Sequence, residues 1–253
     1  MFEILDGSNR TDTTDIFVVN LKTGDVKGPF YAPYVYSAHH INAYEDNDQE
    51  IILDLAPTPF ENFREYLRLD NMMNPPETLD DATSTTDDLE ITRYTINTET
   101  GAVKTSAFDN IIKSRFINNF DFPTINEDYR GKRYCYTYGM SAFAYSRTAL
   151  VKKNVCDASD DKVWYVENHY VGEAHFLPRP GGTSEDDGVL ITIVFDGPLE
   201  KSYLLILDAK TFTPINHSYL PHHIPWSAHG MYFPEATLDK LSGEVTEKPK
   251  DEL

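Results

Sequence analysis

The residues with the clearest capacity for chemistry are eight histidines, none of which pairs with another at a compact helical or zinc-finger spacing. They are His39, His40, His169, His175, His217, His222, His223 and His229. The sequence contains no GxGxxG or Walker loop for phosphates, no GxSxG nucleophile elbow and no HExxH zinc helix. Because imidazole is the commonest metal ligand in proteins, a metal site here must be assembled by the fold from distant strands.

The adjacent pair His39 and His40 lies in the segment AHHINAYED, which reads as a strand. Successive side chains of a strand point to opposite faces of its sheet. At most one of these two histidines can therefore face a central site, and the other is expected at a rim or in packing.

The segments that must position these side chains are predicted to be short strands. Each segment is rich in β-branched and aromatic residues and is bounded by Gly, Pro, Asn or Asp. The segments are residues 16–20, 50–55, 89–97, 133–138, 162–166, 188–195 and 203–207. Many short strands separated by turns predict a sandwich, a barrel or a propeller, and periodicity alone does not choose among them.

Three stretches differ from this series. Residues 60–69 have apolar side chains close to helical spacing, and the polar, acidic residues 71–88 predict a long exposed loop. The triplet Glu185-Asp186-Asp187 lacks the further spaced oxygens of a calcium loop, so a turn is predicted there.

No linker divides the chain, which predicts one domain over residues 1–236 and a polar tail over 237–253.

The charge of the chain excludes one class of partner. Lys and Arg number 22 against 41 Asp and Glu, so the formal net charge is −19. Such a surface repels phosphate backbones, which argues against a general nucleic-acid binder and against docking on anionic membranes through a basic patch.

Cys135 and Cys156, the only two cysteines, are too few for a disulfide framework or a cysteine zinc site, which favours reduced thiols and a reducing compartment.

A set of motifs occurs in a fixed order along the chain. The segments are HHINAYED, EIILDL, FDFPTIN, GKRYCYTYG, GEAHFLPRP, SEDDGVL, LLILDAKT and IPWSAHG, and they extend from about residue 15 to about residue 233. In these motifs and in their order the chain resembles the carotenoid cleavage oxygenase family. That family includes the animal carotene oxygenases and the isomerohydrolase of the retinal pigment epithelium.

The resemblance implies an all-β fold, a seven-bladed β-propeller, of which this chain supplies roughly the C-terminal half. It also implies a non-haem Fe(II) ion held by four histidines from different blades, with carboxylates that orient those histidines. Carried over residue by residue, His39 and His229 match two metal ligands, and Glu173 matches one orienting glutamate. Asp121 stands where another glutamate is expected; being one methylene shorter, it is expected to reach its histidine through a backbone shift or a water.

The implied reaction is addition of O₂ across a conjugated double bond of a carotenoid or apocarotenoid, which gives two carbonyl products. An apolar polyene and O₂ are the implied partners, and a peripheral membrane contact is compatible with them. The two further histidine ligands of the family have no match here. Two alternatives therefore stay open, retinoid isomerohydrolysis and a non-catalytic fragment that binds a polyene or a protein partner. The oligomeric state is not predicted.

Two localisations are compatible with these features. The resemblance implies a protein of the cytoplasm or of the endoplasmic reticulum periphery. The C-terminal residues Lys250-Asp251-Glu252-Leu253 match an endoplasmic reticulum retention signal, which predicts the lumen as the alternative.

Overall fold

The computed structural model of the protein describes residues 13–57, 91–108, 120–143, 147–225 and 229–233. The helix predicted over residues 60–69, the loop over 71–88 and the tail over 237–253 lie outside the described residues. The described residues form fifteen β-strands and two short 3-10 helices, Glu127–Tyr129 and Ala158–Asp160. Within the same ranges, no helix is long and apolar enough to cross a membrane.

The strands form antiparallel sheets in which neighbours in sequence are mostly neighbours in space. A two-stranded sheet comes first and consists of β1 (Thr13–Val19) and β2 (Val26–Pro33). The next sheet, called the first blade, has the order β3-β4-β5-β6, with the strands Ser37–Asn47, Glu50–Pro57, Thr92–Asn97 and Val103–Ala107. The second blade contains β7 to β10, in the same up-and-down order, with the strands Phe120–Thr124, Tyr136–Phe143, Arg147–Asn154 and Lys162–Trp164.

The third blade differs because its first strand is interrupted. Two short strands, β11 (His169–Val171) and β12 (His175–Pro178), both pair with β13 (Gly188–Asp196). The blade continues through β14 (Lys201–Asp208) to β15 (Pro214–Tyr219). Four-stranded up-and-down sheets of this kind are the blades of propellers, so the prediction of an all-β partial propeller is confirmed.

Three clusters of buried side chains join neighbouring sheets. The largest lies between the second and third blades and contains Tyr138, Met140, Phe176, Leu190, Val194, Leu205 and Leu207. Another joins the first and second blades and contains Ile41, Tyr44, Ile52, Phe120, Ile125 and Tyr134. The smallest joins β2 to the first blade through Ala32, Leu55 and Tyr94. Burial between blades thus fixes the relative position of residues that are far apart in sequence.

The acidic triplet is a turn, as predicted, but two of its carboxylates are buried rather than solvated. The Glu185 carboxylate accepts hydrogen bonds from the backbone N–H groups of Cys135 (2.9 Å) and Tyr136 (2.7 Å). Burial raises the pKa of Glu185, while these backbone donors act in the opposite direction. The backbone N–H of Cys135 is thus directed to this turn, and β8 begins at Tyr136, three residues after the predicted start.

The expectation of reduced thiols is wrong for this structure, because Cys135 and Cys156 form a disulfide. The reason lies in the pairing of β8 with β9, in which Tyr136 is opposite Asn154. The backbone N–H of Val155 donates to the Cys135 carbonyl at 2.8 Å, and the two Cα atoms of the bridge are 5.2 Å apart. The sequence separation of 21 residues gives no sign of this proximity.

A buried hydrogen bond between the first and second blades gives a testable prediction. The Tyr134 hydroxyl donates to the Asp54 carboxylate at 2.7 Å, and burial together with the Asp54 charge raises the pKa of Tyr134. Tyr134→Phe removes this donor, so we expect the free energy of unfolding in urea to fall by about 1–3 kcal/mol. Tyr31→Phe, at an exposed position of β2, is the control and is expected to have little effect. Equal losses in the two variants would contradict the prediction.

Candidate metal centre

His39 lies on β3, and its side chain is half-buried while that of His40 is exposed. The pairing of β3 with β4 is irregular on both sides of this pair of residues. The Nδ1 atom of His39 lies 2.7 Å from Oδ1 of Asp121 on β7, which belongs to the next blade. The structure therefore places one of the two histidines against a carboxylate and the other at the surface.

Asp121 contacts His39 directly, without an intervening water, at a point where the strand β7 is irregular. The pairing register shifts between Asp121 and Thr124, and Phe122 has a φ of 51°. Such a φ is uncommon for a bulky residue. Asp121 Oδ1 also accepts from the backbone N–H of Phe122 at 2.9 Å. The direct contact shows that the shorter aspartate side chain reaches His39 in this structure.

Glu173 lies in the interruption between β11 and β12, and its carboxylate holds the chain around His229. Its Oε1 atom is 3.2 Å from Nδ1 of His229, and its Oε2 atom accepts from the backbone N–H of Gly230 at 2.9 Å. The break is fixed by Gly172, whose N–H donates to the Ile193 carbonyl and whose carbonyl accepts from Thr192 Oγ1.

The two histidines converge at their remaining nitrogens. Nε2 of His39 and Nε2 of His229 are 3.4 Å apart, although 190 residues separate them in sequence. When each Nδ1–H donates to its carboxylate, each Nε2 carries the lone pair that a metal needs. At metal–nitrogen distances of about 2.1 Å, two nitrogens at this separation can bind the same ion at adjacent positions. The arrangement therefore fits part of an imidazole-ligated metal centre.

The aromatic ring of Phe122 packs against both histidines. Its centroid is 4.8 Å from that of His39 and 5.5 Å from that of His229. The ring limits the orientations that the two imidazoles can adopt and covers them on one side. No motif singled out Phe122 for this position, because its contact with His229 depends on how the blades are arranged.

Only two histidines converge in this way within the described part of the chain. No group of three or more His, Cys, Asp or Glu side chains is arranged to hold a metal ion among these residues. The roles of His39 and His229 as ligands, and of Asp121 and Glu173 as their orienting carboxylates, stay predictions. The geometry supports them through the four contacts described above.

A cavity of about 270 Å³ opens beside Glu173 and His229. Its polar lining residues include Glu173, His175 and His229. Its lining is otherwise mainly apolar and includes Ile191, Ile193, Phe195, Leu204, Ile224 and Met231. Sequence reasoning assigned no role to His175, although its spacing of two residues from Glu173 on an extended segment places both side chains on one face.

The contact with Asp121 predicts a pH dependence of stability in the metal-free protein. The hydrogen bond that the His39 imidazole donates to Asp121 raises the pKa of His39 above its ordinary value of 6.5, against the opposing effect of burial. A raised histidine pKa stabilises the folded state fully below the unfolded pKa, and this stabilisation is lost as pH rises through the folded pKa. Asp121→Asn is therefore expected to destabilise the protein at pH 5.5 more than at pH 8.5, as measured by urea unfolding with a chelator present. An equal loss at both pH values would contradict this assignment.

Comparison with known proteins shows that the chain is similar to a described family and to enzymes named as carotenoid dioxygenases and apocarotenoid oxygenases. The sequence model of the retinal pigment epithelial membrane protein family matches residues 5–234. A carotenoid dioxygenase of Neurospora crassa is 39% identical over 129 residues, which cover 49% of this chain and 21% of the relative. The apocarotenoid-15,15'-oxygenase of Synechocystis is 30% identical over 229 residues, which cover 86% of this chain and 42% of that enzyme.

The similarity extends to solved structures. The crystal structure of cobalt-substituted Synechocystis apocarotenoid oxygenase superposes with a TM-score of 0.68 at 25% identity. The match covers 87% of this chain and 44% of that one. The chain therefore spans less than half the length of these relatives.

Proposed function

The chain belongs to the retinal pigment epithelial membrane protein family, together with the carotenoid dioxygenases, and from this premise we propose that it contributes to an Fe(II)-dependent oxygenase. The proposed reaction cleaves a conjugated double bond of a carotenoid or apocarotenoid. One O₂ is consumed, the carbon–carbon double bond breaks, and each carbon receives one oxygen atom to give two aldehydes. The observation that supports this proposal best is the 3.4 Å approach of the two Nε2 atoms, each backed by a carboxylate on Nδ1.

In this proposal His39 and His229 would hold two coordination positions of the iron. When bound, ferrous iron would supply the binding and activation of O₂ beside the alkene. Asp121 and Glu173 would accept the Nδ1–H of each imidazole, which would leave the lone pair of each Nε2 atom for the metal. Phe122 covers the two rings, and the apolar wall of the cavity offers a surface on which a polyene chain can lie.

A test of this function uses the purified chain, loaded with Fe(II) without oxygen and then mixed with an apocarotenal in air. Aldehyde products that carry ¹⁸O from ¹⁸O₂, identified by mass spectrometry, are the expected result. His39→Ala is expected to remove the activity and His40→Ala to retain it, because only His39 faces the site. Iron-loaded protein that binds the substrate but forms no aldehyde would contradict the proposal for this chain.

A second candidate function is polyene binding without turnover. It is favoured by the observation that only two histidines converge among the described residues. In that case the apocarotenal absorption spectrum would shift on binding while no aldehyde forms. The same shift in His39→Ala would show that binding does not require the metal site.

The localisation stays a prediction with two alternatives. The family favours the cytoplasm or the periphery of the endoplasmic reticulum. The Cys135–Cys156 disulfide supports the lumenal alternative, because disulfides persist in oxidising compartments.

A further inference from the structure

A second histidine approaches the carboxylate that holds His229. Nε2 of His175 lies 3.7 Å from Oε2 of Glu173, whereas Nδ1 of His229 lies 3.2 Å from Oε1. The Glu173 carboxylate is therefore bracketed by two imidazoles, one at each oxygen. The longer contact exceeds a direct hydrogen bond and places a polar ring nitrogen of His175 beside the carboxylate.

The strand places His175 there through its alternation. Glu173, His175 and Leu177 are half-buried, while Ala174 and Phe176 between them are buried in the core. Because β12 begins at His175 and pairs with β13, the Cα position of His175 is fixed opposite Ile191. The imidazole is thus carried by a paired strand rather than by a mobile loop.

Gly230 completes the surroundings of the same oxygen. Its backbone N–H donates to Glu173 Oε2 at 2.9 Å. A Cβ atom added at Gly230 would lie 3.2 Å from Nε2 of His175, with no other heavy atom outside its chain neighbours within 4 Å. The absence of a side chain at Gly230 therefore leaves room for His175 to approach the carboxylate.

We propose that His175 is a positioning residue for Glu173. Together with the Gly230 N–H, its imidazole fixes Oε2, so that Oε1 stays on Nδ1 of His229 and the Nε2 atom of His229 stays directed toward His39. This inference rests on the proposed role of His229 as a metal ligand. It assigns to His175 no contact with the metal, the substrate or O₂.

The first test measures which ring nitrogen of His229 carries the proton in the metal-free protein. Long-range ¹H–¹⁵N NMR of the imidazoles at pH 8 distinguishes the Nδ1–H tautomer of His229 from the Nε2–H tautomer. His175→Leu is expected to increase the Nε2–H tautomer, whereas His175→Gln, which keeps a polar N–H, is expected to leave the spectrum of His229 close to that of the wild type. His222→Leu, at an exposed position, is the matched control. Unchanged His229 signals in His175→Leu would overturn the proposal.

The second test uses the affinity for Co²⁺, followed by its visible absorption. His175→Leu is expected to weaken binding by about three- to ten-fold, less than loss of the carboxylate itself, and His175→Gln should restore it. In a Glu173→Ala background, His175→Leu should have no further effect, because the group it positions is gone. A further loss in that background would overturn the proposal.

The two tests separate this inference from the proposed function. Failure of the wild-type chain to bind Co²⁺ would count against the metal site, while the NMR comparison still decides the role of His175. Should His175→Leu fail to fold, His175→Asn replaces it, because its amide is too short to reach the carboxylate.

Discussion

Replacing either His39 or His229 by alanine is expected to lower the affinity for Co²⁺ or Fe²⁺ by at least about 100-fold. Loss of an orienting partner alone costs about 10- to 100-fold in metal affinity, and loss of a ligand removes a metal–nitrogen bond as well. The two Nε2 atoms are 3.4 Å apart and are proposed to occupy two different positions on the same ion. Neither histidine is therefore expected to replace the ligand that is lost when the other becomes alanine. Titration of the chelator-treated chain with the metal, read by calorimetry and elemental analysis, measures the effect.

The control for this experiment is His40→Ala, one residue away on β3 but exposed. It is expected to bind the metal as the wild type does, because its side chain is on the opposite face of the strand. Similar losses in His39→Ala and His40→Ala would mean that metal binds to the surface, and would contradict the proposed centre.

Substituting either orienting carboxylate should also lower the metal affinity, but by less than substituting His39 or His229. Removing Glu173 in Glu173→Ala is expected to weaken binding by about 10- to 100-fold, because Nδ1 of His229 loses its partner. Asp121→Asn should weaken it less, because an amide oxygen can still accept from Nδ1 of His39. A ranking in which the carboxylate variants lose more affinity than the histidine variants would contradict this scheme.

Substitution of Lys152 is expected to have the second large effect, a loss of folding stability. The ammonium group of Lys152 is fully buried between the second and third blades. Its Nζ atom donates to Asp160 (2.9 Å), to Asp186 (3.0 Å) and to the carbonyl of Lys210 (3.1 Å), and lies 4.3 Å from the centroid of the Tyr136 ring. Lys152→Met leaves the buried Asp186 carboxylate without its counter-charge. We expect the free energy of unfolding to fall by about 3–5 kcal/mol, measured by urea denaturation.

The matched control is Lys104→Met, at an exposed position of β6, for which a change below about 0.5 kcal/mol is expected. Adding Asp186→Asn to Lys152→Met should recover part of the loss, because it removes the unpaired buried charge. If the double variant is less stable by the sum of the two single losses, the ion pair does not explain the effect.

Local sequence patterns predicted some of the strands and which of their side chains share a face. The alternation in β13 and the β-branched segments at β4 and β14 predict strands from neighbouring residues alone, and the structure confirms them. The same alternation of side chains predicted that His39 and His40 point to opposite faces of β3. The ordered motifs determined the family, and with it the partial propeller.

The family resemblance predicted one centre with two histidines and two carboxylates, and only the tertiary structure decided which carboxylate contacts which histidine. His39 and Asp121 are 82 residues apart, and their contact depends on the packing between two blades and on the unusual φ of Phe122. The disulfide, the buried ammonium of Lys152 and the approach of His175 to Glu173 have the same origin. The physical reason is that strand propensity and alternation are local, whereas charge burial and ring orientation depend on interfaces between sheets that no local pattern specifies.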